Sequence, residues 1–493
     1  KREGSRLPII IDGLNEAEDP RDWAQLLSSL KTDLEDFSHV LVICTLRPDF
    51  VDQTLPDEVD IREIPDFGDK ADSAIQKYFE HYKINLKDVS IPREFLKHPL
   101  TLSLFCEVTN KDRKESVNVE TIPGSITEVF DQFLNQAADR VFELSPTHRK
   151  YSRRDVFMAI KKVGEMLWYQ SERYIKLEDL REELGEQDRS WPDESVVGQL
   201  EREGVLSSKS GETAVSKLIS VVHDPLAGHI IADYLIQSND KEALAGIFQN
   251  QNPLTGSPSE LHPLAGDIFR SLVALLPRRD DGFHLWPILE DHQKSKALKE
   301  TANLEGEFIN DETREALKEL ILEQTNNFSE IFNRLRETRR IQSHPLNSNF
   351  LDSVLRELDL TERDLMWTEW IRKNRDRITK ELQRFNKKWK KEQIELESAE
   401  LTIKWIMWIL SSTDKKIRDL ATHSLYCIGR KHTSDFLELA VSSLGINDPY
   451  IPERMLAAAY GICMAKQQPS EHTTFYEEKL PWYVNKIYEK MFV

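Results

Sequence analysis

The chain has 493 residues, with 85 Asp and Glu against 66 Lys and Arg and a net charge of -19, so as a whole it is neither a nucleic-acid coat nor a binder of anionic membranes. Four scattered cysteines, Cys44, Cys106, Cys427 and Cys463, form no C-x-x-C pair and fit reduced thiols in a cytoplasmic protein. No run reaches the ~18 apolar residues of a membrane span, nothing at the start reads as a signal peptide, and the length suggests roughly three domains at ~150 residues each.

The first element is an apolar strand over Leu7–Ile11 that ends in Asp12, with a second acid, Glu16, four positions later. Its apolar side chains are expected to be buried in a sheet, with the carboxyl end facing a ligand crevice. A helix is expected from about Arg21 to Phe37, with Trp23, Leu26, Leu27, Leu30 and Leu34 on one face. A second apolar strand, Val40–Cys44, runs into Thr45-Leu46-Arg47-Pro48, and a third, shorter one is expected over Asp60–Pro65. Two apolar strands around a helix read as part of a parallel sheet.

From about Asp69 to residue 240 the chain reads as mostly helical, broken at turn signals such as Lys97-His98-Pro99 and Ile122-Pro123-Gly124-Ser125. Ser125 with Glu128 has the spacing of a capping box. A hairpin is expected from Gly204–Ser207 to Val215–Leu218, and helices followed by a small hairpin have the pattern of a winged-helix module. Beyond 240 only helices are expected. Small residues in two of them, Ala421, Ser424 and Gly429 against Ala457, Ala458, Ala459 and Gly461, suggest close crossings in an α-solenoid.

Several residues could carry chemistry. Magnesium takes oxygen ligands and keeps several waters, so Asp12 at a strand end suits an outer anchor, and Glu16 could orient an attacking water. The alternative is an acidic surface loop after a strand. Arg47 could reach a terminal phosphate through paired N–H donors, or be a solvated charge before Pro48. His223, ahead of an amphipathic helix, reads on its own as a hydrogen-bonded structural residue. The basic stretch from Arg372 to Lys391 interleaves aromatics with cations, but Glu381, Glu392, Glu395 and Glu397 dilute it, and a solvated helix face laced with i,i+4 pairs is the favoured reading. Trp367, Trp370, Trp405 and Trp408 are expected in a core. No catalytic triad, zinc-ligand cluster or calcium loop is present, and no G-x-x-x-x-G-K-[ST] phosphate loop occurs in the 493 residues.

In order, four of these segments resemble those of NACHT-type STAND NTPases, signalling relatives of AAA+ ATPases. Ile9-Ile10-Ile11-Asp12-Gly13-Leu14-Asn15-Glu16 is similar to their Walker B segment, with Asn15 where a second Asp is common. Val42-Ile43-Cys44-Thr45-Leu46-Arg47-Pro48 is similar to the sensor strand ending in T-x-R-P. Lys97-His98-Pro99 and the helix after it resemble the helical-domain segment, and Ser220-Val221-Val222-His223 resembles the winged-helix segment. The resemblance implies that Asp12 anchors Mg2+, that Glu16 serves catalysis, that Arg47 senses the γ-phosphate, that Pro99 packs near adenine and that His223 touches the ADP phosphate.

The implied fold is an α/β remnant, part of a parallel P-loop NTPase sheet, followed by a mostly α region. The implied domains are 1–68 for the C-terminal part of the nucleotide-binding domain, 69–124 for a helical domain, 125–240 for a winged helix and 241–493 for HEAT- or TPR-like repeats. The chain, which begins with Lys, is expected to be the back part of such a switch, with phosphate loop and effector upstream and no ATP hydrolysis of its own. The segments Glu362–Trp367 and Asn447–Arg454 resemble large bacterial STAND proteins, including antiphage ones. ATP, ADP and Mg2+ are then the expected cofactors. A protein ligand such as a viral protein is expected on the repeats, with self-association into an oligomer and neither membrane nor nucleic acid as partner. A helical-repeat scaffold with a non-functional nucleotide core is the competing expectation.

Overall fold

The computed structural model describes all residues except 1–6, 15–16, 18–21, 35, 38, 47–50, 57–58, 63–65, 87–95, 120–124, 145–150, 211–216, 249–253, 255–260, 280–281, 324–328, 391–397, 467–474 and 493. They are mostly helical, with three small sheets. No helix among them is long and apolar enough to cross a membrane.

Strand β1 (Leu7–Ile11) runs parallel to β2 (Val40–Cys44), in register from Leu7 opposite Val40 to Ile11 opposite Cys44. The helix Asp22–Asp33 lies between them in sequence and stops short of the Phe37 end expected for it. The expected burial of β1 is not observed, since Leu7 is 56% and Ile10 68% exposed. Parallel strands are normally covered on both faces. Here the connecting helix has no buried residue, so the described elements do not supply that cover. The strand expected over Asp60–Pro65 is also absent from its described part. Residues 59–62 are irregular, Ile61 is exposed, and no described strand lies beside them to complete a ladder. A short pair, β3 (Ile84–Leu86) with β4 (Val117–Val119), follows.

The chain divides into two compact units. The first comprises residues 1–85, 96–117 and 130–271. Besides the β1–β2 pair it holds an antiparallel sheet in the order β5-β7-β6, from β5 (Ile175–Lys176), β6 (Leu206–Ser210) and β7 (Lys217–Val221). The hairpin read from the sequence is therefore present, shifted by a few residues, and a third strand joins it. Helices Arg153–Gln170 and Asp224–Ser238 form the centre of this unit. A Cβ on Gly164 would meet the Ile230 carbonyl oxygen at 2.9 Å, so only glycine lets the two backbones approach this closely.

Ser152 caps the Arg153–Gln170 helix in a full capping box with Asp155. Buried Glu186 organises the approach to the Val196–Arg202 helix. It accepts from Tyr151 Oη, from Ser195 Oγ at 2.6 Å and from Val196 N at 3.0 Å, which satisfies a carboxylate that burial would otherwise penalise.

The second unit comprises residues 86–95, 118–129 and 272–493, and from residue 272 on its described part contains helices and no strand. All four expected core tryptophans are buried. Trp367 stacks on Trp370 with centroids 4.9 Å apart, and Trp405 meets Trp367 edge-on at 5.4 Å. The indole N–H groups also find partners. Trp367 donates to the Trp408 carbonyl at 2.9 Å and Trp408 to Asp352 at 2.8 Å. A π-helical turn over Asp364–Thr368 carries Trp367 within an otherwise α-helical stretch. The small-residue crossing is present between Lys415–Lys431 and Tyr450–Ala465. A Cβ on Gly429 would meet Ile462 Cδ1 at 2.2 Å, and one on Gly461 would meet Tyr426 Cδ2 at 3.1 Å.

Candidate functional site

The carboxyl ends of β1 and β2 lie side by side, and a compact bond network joins them. Thr45 N donates to the Ile11 carbonyl at 3.0 Å, and Leu14 N returns a bond to the Thr45 carbonyl at 2.9 Å. The Thr45 hydroxyl donates to Asp12 Oδ1 and accepts from Gly13 N at 2.7 Å. Gly13 sits at φ 70°, left-handed backbone that favours glycine, and this turn aims its N–H back at Thr45. Asp12 is exposed, while Leu14 is 1% exposed. A carboxylate and a hydroxyl thus project at the ends of adjacent parallel strands, where α/β folds bind ligands. Both are hard oxygen donors of the kind magnesium takes. Among the described residues no group of three or more His, Cys, Asp or Glu side chains could hold a metal ion. Glu16 and Arg47 lie outside the described residues.

Pro99 is exposed at the first turn of the Pro99–Asn110 helix, where its missing N–H costs nothing. The turn before it is held by Asp66. Its carboxylate accepts from Gly68 N at 2.7 Å and pairs with Lys97 Nζ at 3.0 Å, while Phe67 N donates to the Lys97 carbonyl at 3.1 Å. Burial alone would raise the Asp66 pKa, but these bonds from Lys97 and Gly68 hold it below the usual carboxylate value.

His223 is the N-cap of the Asp224–Ser238 helix, in extended backbone and with no side-chain capping bond. Burial pushes its pKa below the usual imidazole value, and the Glu107 carboxylate opposes that shift, as does Asp224. Glu107 belongs to the same helix as Pro99. The next residue, Asp224, pairs with Arg173 at 2.7 Å, and Arg173 also donates to the Pro263 carbonyl at 3.1 Å. Gly228 fixes the helix closely, since a Cβ there would meet the Asp267 backbone at 2.6 Å. His229 has a structural place. It is 2% exposed, 3.2 Å from Asp131 and edge-on to Phe130.

Glu203 makes a further link. It accepts from Lys111 Nζ at 3.0 Å and from Arg140 Nε, which joins the end of the Pro99–Asn110 helix to the helices Ile126–Leu144 and Val196–Arg202.

Of the residues singled out in the sequence, Asp12, Pro99 and His223 are described. No hydrogen bond or ion pair joins Asp12 to either of the others. Thr45, Glu107, Arg173 and Glu203 were not singled out for a role. Thr45 stood within a quoted motif, but the other three meet their partners only through the tertiary fold. No family model matches the chain, and no curated protein matches it.

Proposed function

We propose that the chain is part of a nucleotide-controlled signalling switch of the STAND type, whose helical second unit receives a protein ligand. The observation that carries this reading is the Asp12–Thr45 pair at the ends of two adjacent parallel strands. The order of the four motifs supports it. The helices with the β5-β7-β6 sheet support a winged-helix assignment, and the close helix crossings after residue 400 support an α-solenoid. The phosphate-cradling loop that the reading needs is not among the 493 residues.

In this reading Asp12 orients the hydration shell of Mg2+, and Thr45 holds the Asp12 carboxylate in place. Glu16 orients water, Arg47 meets the terminal phosphate, Pro99 packs near the base, and His223 donates to a phosphate oxygen from a helix N-terminus. The nucleotide supplies the negative charge that these donors close around. A ligand on the helical unit shifts the switch only if it binds the open form more tightly than the closed one. Opened subunits then self-associate and activate an effector in cytoplasmic antiviral defence.

The test is the nucleotide content of the natively produced protein, with intact mass read on the same sample. Stoichiometric ADP, lost in Asp12→Ala and reduced in His223→Ala, supports the switch. Native protein free of nucleotide, and indifferent to both substitutions, leaves a helical-repeat scaffold. The purified 493-residue chain is expected not to turn over ATP, and measurable turnover with no added subunit overturns that expectation.

A further inference from the structure

Three segments of the first unit meet at one guanidinium. Arg173 follows the Arg153–Gln170 helix, and its side chain is 10% exposed. Its Nη1 pairs with Asp224 at 2.7 Å, and its Nη2 donates to the Pro263 carbonyl at 3.1 Å. The planar fork therefore holds two partners in a fixed relative position, which a lysine could not do. Asp224 opens the Asp224–Ser238 helix and follows His223 directly. Pro263 lies in the turn that opens the Ala265–Arg279 helix, where Ala265 N donates to the His262 carbonyl and Ile268 N to the Leu264 carbonyl, both at 2.9 Å.

The same turn is tied to the Arg153–Gln170 helix by His262, which bonds the Leu167 carbonyl at 3.0 Å and stacks on Trp168 with centroids 5.8 Å apart. Neither contact involves Asp224. The helices that start at Asp224 and Ala265 touch again one turn in, where a Cβ on Gly228 would meet the Asp267 backbone at 2.6 Å. A single close contact sets a spacing but permits rotation about it. The second link, at Arg173, removes that rotation, so the relative orientation of the two helix starts depends on where Asp224 lies.

We propose that Arg173 couples the position of the His223 turn to the start of the Ala265–Arg279 helix, whose residues from Leu272 on belong to the second unit. A charge-assisted bond is directional and strengthens where water is scarce, so a shift of Asp224 either carries the guanidinium with it or breaks the pair. Both outcomes change the hold on the Pro263 carbonyl. The coupling thus has two discrete arrangements, bonded and released, as transmission between sites requires. As regulation of the nucleotide site it rests on the assignment of His223 to a phosphate. A nucleotide would act through it only by favouring one of the two arrangements.

The experiment is a double-mutant cycle on the full 493-residue chain, read by hydrogen–deuterium exchange. Asp224→Asn is expected to speed exchange of the Leu264, Ala265 and Ile268 amides at least about fivefold, with the Tyr450–Ala465 helix unchanged. In an Arg173→Gln background the same substitution is expected to add less than about twofold, because the link is already gone. Arg173→Lys, a milder change that keeps the charge but not the fork, is expected to uncouple the two sites as well. Unchanged exchange at these amides in Asp224→Asn overturns the proposal. Equal acceleration in the parent and both Arg173 backgrounds also overturns it, and makes the Gly228–Asp267 contact the route. Acceleration spread evenly over the first unit overturns it too, since that marks lost stability rather than coupling. The readout needs no nucleotide, so its failure leaves the switch reading standing, and native protein free of ADP leaves the coupling standing.

Discussion

The Thr45 hydroxyl donates to Asp12 Oδ1 while it accepts from Gly13 N at 2.7 Å, so one side chain holds both the carboxylate and the turn behind it. A hydrogen bond to a charged group contributes about 1.5–3 kcal/mol and a neutral one about 1 kcal/mol. Thr45→Val keeps the branched shape and removes both bonds. The Gly13 amide is then expected to exchange with deuterium at least about fivefold faster, while the Tyr450–Ala465 helix is unchanged. An unchanged rate at Gly13 would show that the turn is held without the hydroxyl.

His223 titrates under opposed influences, burial lowering its pKa and the Glu107 and Asp224 carboxylates raising it. Glu107→Gln removes the larger of the two raising influences and leaves burial and Asp224. The His223 pKa, followed by NMR of the imidazole, is expected below the usual value of about 6.5 in the parent chain and lower still in the variant. A pKa that does not move would separate the Pro99–Asn110 helix from His223.

The local features of the fold were legible because each has a short-range cause. The strands β1 and β2, the β6–β7 hairpin, the tryptophan core and the glycine crossings follow from apolar runs, turn residues and small residues at helical spacing. What misled was cover. Leu7 and Ile10 have the composition of a buried strand, yet burial depends on what packs over the sheet. The alternation in Asp60-Ile61-Arg62 has no partner strand among the described residues to make it a ladder. At the candidate site Asp12 was legible as an acid at a strand end. The influence of the Glu107 carboxylate on His223 was not, because no pattern in either segment encodes the other.

Arg363 is 1% exposed and joins the segments Glu362–Trp367 and Asn447–Arg454. Its guanidinium donates to the Leu355 carbonyl at 3.2 Å and to the Asn447 carbonyl, lies 4.0 Å from Asp448 and sits 5.5 Å over the Trp408 ring. Arg363→Met leaves two carbonyls and a buried carboxylate without that cation. The expected loss is about 3–5 kcal/mol, read as a lower denaturant midpoint for tryptophan fluorescence. Arg363→Lys is expected to rescue little, since one ammonium cannot reproduce the planar fork. A midpoint unchanged in both variants would mean that the two segments are held together by packing alone.

His262 provides a pH test of the first unit. Its Nδ1 accepts from Leu264 N at 3.0 Å and its Nε2 donates to the Leu167 carbonyl at 3.0 Å, so the folded chain uses the neutral ring. Burial pushes its pKa down to about 4, and the Leu167 bond only partly offsets this. The unfolded chain, with a histidine pKa of about 6.5, therefore takes up the proton first. The stabilisation from this residue is complete above about pH 6.5 and is lost as pH falls toward 4, with up to about 3 kcal/mol at stake. Carboxylates such as Asp66 lose stability in the same direction on acidification, so the parent curve alone does not isolate the histidine. His262→Gln keeps one donor and one acceptor but does not titrate. The difference in unfolding midpoint between pH 7 and pH 5 is expected to be smaller in the variant than in the parent. Equal differences would mean that His262 is protonated in the folded chain, and the donor and acceptor roles assigned to its ring would be wrong.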